Sequence, residues 1–391
     1  MPSLSTYSVF LRELGRRLQL AGWEVHLICS VEQVSPEQHF SSEMFATIHL
    51  IKLPRGMNLW QHLRAAGPLR ATIAEIAPAL VHVHTAAAAV TAAIARLRSM
   101  CPVIGTIHGI NSFQSRGFRR RMILLAERWA FAKLQTTYLV NRADEAYVRE
   151  MRFPGSYVRY RSLALGCDLS RFKPVHQMEA AAEKERARAL LRLSPNDFVF
   201  AFVGRQVGFK GFANVIRAFT ALAAEHEDVK LLLIGTRDHL HPSGLSSAEH
   251  EALRRNPAVR AVGWRDDVES LLAITDVNVF PSEREGLPVN VMESLAMGVP
   301  VITIQSRGCE ELVRDGVDGR VIPGIRWVKD LSTSCLTFEM KAFYRDREKL
   351  RRYSANALMR RAEFDRCHWI DEQIKIYDQL VAQGVEPRTE S

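Results

Sequence analysis

The chain alternates short apolar, β-rich runs with longer amphipathic stretches, breaks off, and then begins the same alternation again. Such a pattern buries its apolar runs best in a parallel sheet with helices packed on its faces. In the first half the expected strands are Val25–Ser30, Thr47–Leu53, Leu80–Thr85, Pro102–His108 and Thr136–Val140, with helices such as Leu11–Ala21 and Leu63–Ile76 between them. The text turns irregular near Gly166–Val175, and the alanine- and charge-rich stretch Met178–Leu193 leads into a helix. The second round predicts strands at Phe198–Val203, Lys230–Ile234, Ala258–Gly263, Val277–Pro281 and Val299–Ile304. Its expected helices are Phe212–Glu225, Ser247–Arg254, Val268–Ile274 and Val289–Met297. Beyond Ser332 the chain reads as helical to Gln383 with no further strand signal.

With 391 residues, two cores are the default. The expected fold is α/β, with two facing Rossmann-like domains and a central cleft. The expected division is residues 1–165, a linker over 166–182, a second domain over 183–365, and a C-terminal helix and tail over 366–391 that returns to the first domain. Ligands of open parallel sheets bind beyond the carboxyl ends of the strands, so the cleft is the expected site.

The start of the chain is awkward for this fold. Met1 is followed by a loop-like Pro-Ser-Leu-Ser and then a helix, whereas a doubly wound domain opens with a central strand. The first domain is therefore expected to lack its first strand, which either lies upstream of Met1 or has been lost from this copy. Alanine-rich Ala86–Ile94 is too short to span a bilayer and reads as a packed helix. Six cysteines without a C-x-x-C pair suit a reducing compartment, and no secretion signal is evident, so the cytoplasm is the expected location. The net charge of +9 fits phosphate-bearing ligands or an anionic membrane surface. With no zinc-finger spacing and no RNP-type aromatic pattern, nucleic acid is not an expected partner.

The strongest local signal runs from Pro281 through Glu285, Gly286, Leu287 and Pro288 to Glu293. An apolar strand ends at Pro281, a polar loop follows, and a helix begins around Pro288, offering free N–H groups and a positive dipole end to a phosphate. Glu285 and Glu293 are eight residues apart, roughly 80° beyond two helical turns, so both can approach one ligand from different heights. Taken alone, they read equally well as a dipole partner and a solvated face. A second segment, Ala201-Phe-Val-Gly204-Arg205 with Lys210-Gly211, places two cations at the carboxyl edge of a sheet, where they suit a diphosphate.

Together these segments, F-V-G-R-x4-K-G and E-G-x-P-x4-E followed by A-M-G-V-P-V-I, resemble the large group 1 family of retaining bacterial glycosyltransferases with the GT-B fold. Gly263-Trp264-Arg265-Asp-Asp and Asp315-Gly-Val-Asp-Gly319 follow the same family order. The resemblance covers essentially the whole chain and is most specific from Phe198 to Pro323. It implies that Arg205 and Lys210, beside Gly204, bind the donor diphosphate, and that Glu285 touches the transferred sugar. It further implies that the Gly286–Pro288 backbone contacts sugar or phosphate, that Glu293 holds ribose, and that Trp264 and Arg265 lie near the base. In the first half, Gly105-Thr-Ile-His108-Gly109 resembles the family's strand-end histidine, which meets the donor sugar. The implied chemistry is a metal-independent front-face transfer from a nucleotide sugar, a UDP-hexose or UDP-N-acetylhexosamine by family preference; no cofactor is expected. His82 and His84 alternate on one strand without a third ligand, so no metal is expected there. The family's N-terminal loop survives only as Pro2–Tyr7, and Arg307 stands where many relatives have proline.

The acceptor is less legible. Arg116–Lys133 is basic at its start, with Phe118, Met122, Leu125 and Trp129 at helical spacing beside Arg119, Arg120 and Arg121. Two readings stay open: an interfacial helix on anionic lipid, or a core helix with a solvated basic turn. The first places the enzyme peripherally on the inner face of the membrane, with a glycan or polyprenyl-diphosphate-linked acceptor for surface polysaccharide. The rival functions are a nucleotide-sugar epimerase of the same architecture and a catalytically silent scaffold protein.

Overall fold

The computed structural model describes residues 4–30, 45–54, 56–174, 181–238, 241–324 and 329–385. The chain divides into two compact units, Met1–Leu165 with Cys367–Ser391, and Gly166–Arg366.

The first unit opens with α1 (Leu4–Phe10), α2 (Arg12–Leu20), β1 (His26–Cys29) and β2 (Thr47–Leu50). There follow α3 (Leu59–Ile76), β3 (Val81–His84), α4 (Ala86–Ile94), β4 (Val103–Ile107) and α5 (Asn111–Gln114). Next come α6 (Gly117–Phe131), β5 (Thr136–Leu139), α7 (Arg142–Glu150) and β6 (Tyr157–Arg159). β3-β4-β5-β6 form a four-stranded sheet and β1-β2 a separate two-stranded one, every pairing parallel. The apolar helix α4 is buried along most of its length, as an alanine-rich stretch packed against a sheet should be. Two expectations fail here: Leu4 and Ser5 are helical rather than loop, and the short strand β6 was not foreseen.

In the second unit, α8 (Ala181–Leu190) precedes β7 (Phe198–Val203), α9 (Phe212–Ala223), β8 (Val229–Ile234), α10 (Ser247–Arg255) and β9 (Val259–Gly263). The chain continues through α11 (Val268–Leu272), β10 (Val277–Phe280), α12 (Val289–Ala296), β11 (Val301–Ile304), α13 (Cys309–Leu312) and β12 (Gly319–Ile322). It closes with α14 (Lys329–Arg345) and α15 (Arg347–Met359), a short break at the 360–365 segment, and α16 (Arg366–Val385), which from Cys367 onward belongs to the first unit. The stretch beyond Ser332 is helical as expected, in three successive helices, whereas β12 was missed.

The six-stranded sheet of the second unit has the order β12-β11-β10-β7-β8-β9, all parallel. All six residues of β7, Phe-Val-Phe-Ala-Phe-Val, are buried, which is why the strand reads as a continuous apolar run rather than an alternation. From β7 the chain winds one way through β8 and β9, then returns to the other side of β7 for β10, β11 and β12. The winding therefore reverses between β7 and β10, and the loops leaving these two strands diverge around a crevice at their carboxyl ends. Those loops begin at Gly204 and Pro281, so the two strongest sequence signals flank one switch point.

Candidate active site

β7 delivers Gly204 and Arg205, and a single 3-10 turn, Gly208–Lys210, hands the chain to α9 through Gly211. Gly211 sits at φ +73°, and a Cβ there would lie 2.4 Å from the carbonyl oxygen of Pro281. Only glycine lets the Lys210 turn approach the end of β10 this closely. The backbone N–H of Glu283 donates to the carbonyl of Phe209 at 2.9 Å, joining the two loops directly.

This junction brings Lys210 and Glu285 together. The Lys210 ammonium lies 2.9 Å from Glu285 Oε1, with the two side chains only 17% and 14% exposed. Ser282 Oγ donates to the same carboxylate oxygen at 2.7 Å, and the ammonium stands 5.0 Å from the centre of the Phe280 ring. The backbone carbonyl of Glu285 accepts from Arg307 Nε at 2.9 Å. Arg307, which stands where many relatives have proline, is thus buried and holds the glutamate loop in place.

Arg205 leaves the same strand end but turns its guanidinium to Asp238, 2.5 Å away, with Phe209 beneath it at 5.7 Å. Arg284 approaches the same ring at 5.7 Å, so two guanidinium groups and Lys210 gather around one short turn. Neither Asp238 nor Arg284 stood out in the sequence, because nothing in their spacing announces a partner.

Pro288 is the N-cap of α12 at φ −75° and ψ 114°, one residue outside the helix rather than in its first turn. The N–H groups of Val289 and Asn290 have no acceptor within the helix and make its tip a seat for an anion. Asn290 Nδ2 donates to the carbonyl of Val203 at 2.7 Å, which fastens this tip to the end of β7. The Gly286–Leu287 backbone is pressed from behind by Gly308, at φ +80°.

Glu293 is half-buried near the Arg366 and Arg171 side chains. Burial pushes its carboxyl up to about 7 despite both guanidinium groups, and Glu269 adds to the rise. Trp264 and Arg265 follow the edge strand β9, two strands from β7 and therefore on the order of 10 Å away. Trp264 is half-buried, whereas Arg265 is committed to Asp267 through bonds of 2.6 and 2.5 Å.

In the first unit, His108 follows the carboxyl end of β4. Burial lowers its imidazole to about 4, so the ring is neutral at pH 7. The loop after it is clamped by Glu127, a fully buried carboxylate that accepts from the backbone N–H groups of Asn111 at 2.8 Å and Ser112 at 3.1 Å. Glu127 belongs to α6, whose buried face is Ile123, Glu127, Ala130 and Phe131. The opposite face carries the residues singled out in the sequence: Phe118 is 76% and Leu125 61% exposed, and Met122, Trp129, Arg119 and Arg121 are exposed beside them. Arg120 is half-buried over Tyr147. A cavity of about 640 Å³ opens at the start of this helix, lined by Gly117, Phe118, Arg120, Arg121, Leu124 and Met151. Of the two readings left open for α6, the core helix does not hold for these four apolar side chains. Among the described residues, no helix is long and apolar enough to cross a membrane.

A parallel sheet with cations and a helix tip at its switch point has the chemistry that suits a phosphorylated ligand, and comparison with known proteins narrows the class. The model of the family "Glycosyl transferases group 1" matches residues 183–357, and that of "Glycosyltransferase Family 4" matches residues 8–162. The UDP-Gal:alpha-D-GlcNAc-diphosphoundecaprenol alpha-1,3-galactosyltransferase of Escherichia coli is 25% identical, over 77% of this chain and 76% of its own. Among solved structures, the sucrose-phosphate synthase of Thermosynechococcus elongatus superposes with a TM-score of 0.76 at 20% identity, covering 96% of this chain and 93% of its own. The Anabaena protein HepE, solved with UDP and glucose, gives 0.76 at 18% identity with 95% of each chain covered. The chain belongs to the group 1 glycosyltransferases and has their two-domain GT-B fold.

Proposed function

We propose that this glycosyltransferase moves a sugar, with retention of its anomeric configuration, from a UDP-hexose or UDP-N-acetylhexosamine to a lipid-linked diphosphate glycan in surface-polysaccharide synthesis. The observation that carries the proposal is the Lys210–Glu285 pair beside the tip of α12 at the switch point. The similarity to an enzyme named for UDP-galactose and a diphosphoundecaprenol acceptor supports the donor and acceptor classes. The fold shared with HepE, solved with UDP and glucose, is consistent with the same donor class.

In this reading the donor diphosphate takes the Lys210 ammonium and the free N–H groups of α12, and Arg205 turns from Asp238 to join them. Glu285, still holding Lys210 through one oxygen, accepts from hydroxyls of the transferred sugar with its remaining lone pairs, and neutral His108 contacts that sugar from the first unit. The C1–O bond to the diphosphate breaks as the acceptor oxygen bonds C1 on the same face, and the acceptor proton passes to a diphosphate oxygen. Negative charge grows on the leaving diphosphate, where fixed cations and helix N–H groups stabilise it most. No metal is required in this scheme. The test is incubation with UDP-sugars and a polyprenyl-diphosphate-linked acceptor, with the product's anomeric configuration read by NMR. An α-linked product is expected. An epimerised donor without acceptor, or an inverted product, would overturn the reading.

Glu293 gives a prediction with a pH sign. Its folded value of about 7 lies above the ordinary 4.5, so between these values the folded chain holds a proton that the unfolded chain has released. Stability from this group is therefore present at low pH and lost as pH rises towards 7 and above. Glu293→Gln should stabilise the unliganded protein by about 1–2 kcal/mol at pH 8 and change little at pH 5. The same variant should bind UDP more weakly, because the ribose diol loses its charged acceptor. Calorimetric melting and UDP titration check both, and tighter UDP binding by the variant would contradict the ribose role.

For the membrane, the exposed Phe118, Met122, Leu125 and Trp129 beside Arg119 and Arg121 support a peripheral seat on an anionic, cytoplasmic leaflet. The wild type should float with phosphatidylglycerol vesicles at low salt, and Phe118→Ser with Arg119→Glu and Arg121→Glu should stay in solution. Equal flotation with neutral vesicles, or no flotation, would contradict this seat.

A further inference from the structure

We propose that His84 is the positioning residue for His108, fixing which ring nitrogen of His108 carries the proton and so whether the nitrogen left for a ligand donates or accepts. The inference rests on the reading of His108 as the group that contacts the donor sugar.

The geometry begins with register. β3 and β4 pair in parallel with Val83 opposite Gly105 and His84 opposite Thr106, so β3 ends on His84 just where β4 is about to deliver His108. His84 Nδ1 lies 3.3 Å from His108 Nε2, and the rings are stacked at 13° with centroids 5.6 Å apart. Residues two apart on a strand share a face, so His82 lies on the other side of His84 with ring centroids 4.1 Å apart. Burial lowers all three imidazoles, His82 to about 3 and His108 to about 4, so each is neutral at pH 7. A neutral imidazole has one N–H and one bare nitrogen. Where Nδ1 of His84 meets Nε2 of His108, one must donate and the other accept. The two tautomers are therefore coupled, and only Nδ1 of His108 remains for a ligand.

His82 does not titrate or tumble freely either, because its protons can be counted. Tyr160 donates its hydroxyl to Gln373 Oε1 at 2.6 Å, so the Thr106 hydroxyl, 2.6 Å from Tyr160 Oη, must be the donor of that pair. Thr106 Oγ1 then accepts from Nε2–H of His82 at 2.8 Å, and the bare Nδ1 accepts from the Tyr377 hydroxyl at 2.5 Å. His82 is thus locked in one tautomer and one orientation, and it forms a fixed wall for the His84 ring. Gln373 and Tyr377 both lie on α16, so the C-terminal helix holds this wall from behind.

The test combines a double-mutant cycle with a tautomer readout, because residues acting through one another are non-additive. His84→Ala should lower kcat about tenfold while leaving UDP affinity unchanged, since UDP carries no sugar for His108 to meet. His84→Asn, whose amide replaces Nδ1, should recover part of the loss. Adding His84→Ala to His108→Ala should lower kcat no further. In protein labelled with 15N-histidine, the ring nitrogens of His108 should report one tautomer in the wild type and a mixture in His84→Ala. Multiplicative losses in the double variant, or an unchanged His108 tautomer in His84→Ala, would overturn the positioning role while leaving His108 in place. If His108→Ala alone keeps wild-type turnover, the reading of His108 fails first, and the proposal with it.

Discussion

Lys210→Ala is expected to leave the second unit folded and to lower the turnover of sugar transfer by about 10²–10³-fold, the loss typical of one preorganised group facing developing charge. The ammonium is held by Glu285 at 2.9 Å and shielded by Phe280, so it meets a diphosphate with little reorganisation and little competing water. Arg205 should not make up the loss, since its exposed guanidinium must first leave Asp238 and is not preorganised as Lys210 is. The effect should fall mainly on kcat, because the leaving diphosphate carries more charge in the transition state than in the bound donor. Lys210→Arg should recover only part of the rate, since its forked head cannot occupy the site of a point charge between Glu285 and the Phe280 ring. Melting within a few degrees of wild type, with steady-state kinetics on both variants, separates a catalytic loss from an unfolded one. Wild-type turnover in Lys210→Ala would remove the cation from the mechanism.

Gly308→Ala should combine a large stability loss with loss of donor binding. Gly308 adopts φ +80° and ψ −40°, and a Cβ there would stand 2.0 Å from the carbonyl oxygen of Gly286 and 3.4 Å from the backbone N of Leu287. Both neighbours are backbone, so no rotamer change relieves the contact. The chain must move either the entry to α13 or the Gly286–Leu287 strip that leads into α12. Strain at positive φ plus this displacement is expected to cost about 2–4 kcal/mol. Because the strip precedes the helix tip, UDP affinity should fall at least about tenfold. Thermal unfolding and UDP titration of the variant check both halves. A variant that melts normally and binds UDP normally would show that the strip tolerates displacement.

Much of this arrangement could be read before the structure, and the reasons are local. β7 is apolar throughout and β10 is interrupted only by Asn278, and both are fully buried, so their boundaries show in sequence, and the loops after them carry the glycines and charges. β12 escaped notice because it opens with Gly319, carries Arg320, and follows Asp315-Gly-Val-Asp, which reads as a turn. Its partner β11 supplies the register that the strand itself does not announce. β6 is three residues long with its middle side chain exposed, too short for an alternation to be recognised. Helix α1 was hidden behind Pro-Ser, which as easily begins a loop.

The charged groups that organise the loops were less legible, because their partners are distant in the chain. Glu127 looked like part of an amphipathic helix, yet it is buried for the sake of two backbone N–H groups at Asn111 and Ser112. Arg307 finds the carbonyl of Glu285, 22 residues away, and Lys210 finds its carboxylate 75 residues away. Periodicity identifies the faces of elements, but it holds no record of which loops meet at a switch point. Topology supplies that, by placing β10 next to β7.

The most direct test is a calorimetric titration of UDP into the wild-type protein and into Lys210→Ala, both in EDTA. One UDP per chain should bind the wild type without added metal, with affinity at least about tenfold weaker in the variant, a difference of about 1.4 kcal/mol. Equal affinities, or no UDP binding by the wild type at all, would mean that the switch point between β7 and β10 does not seat the donor diphosphate.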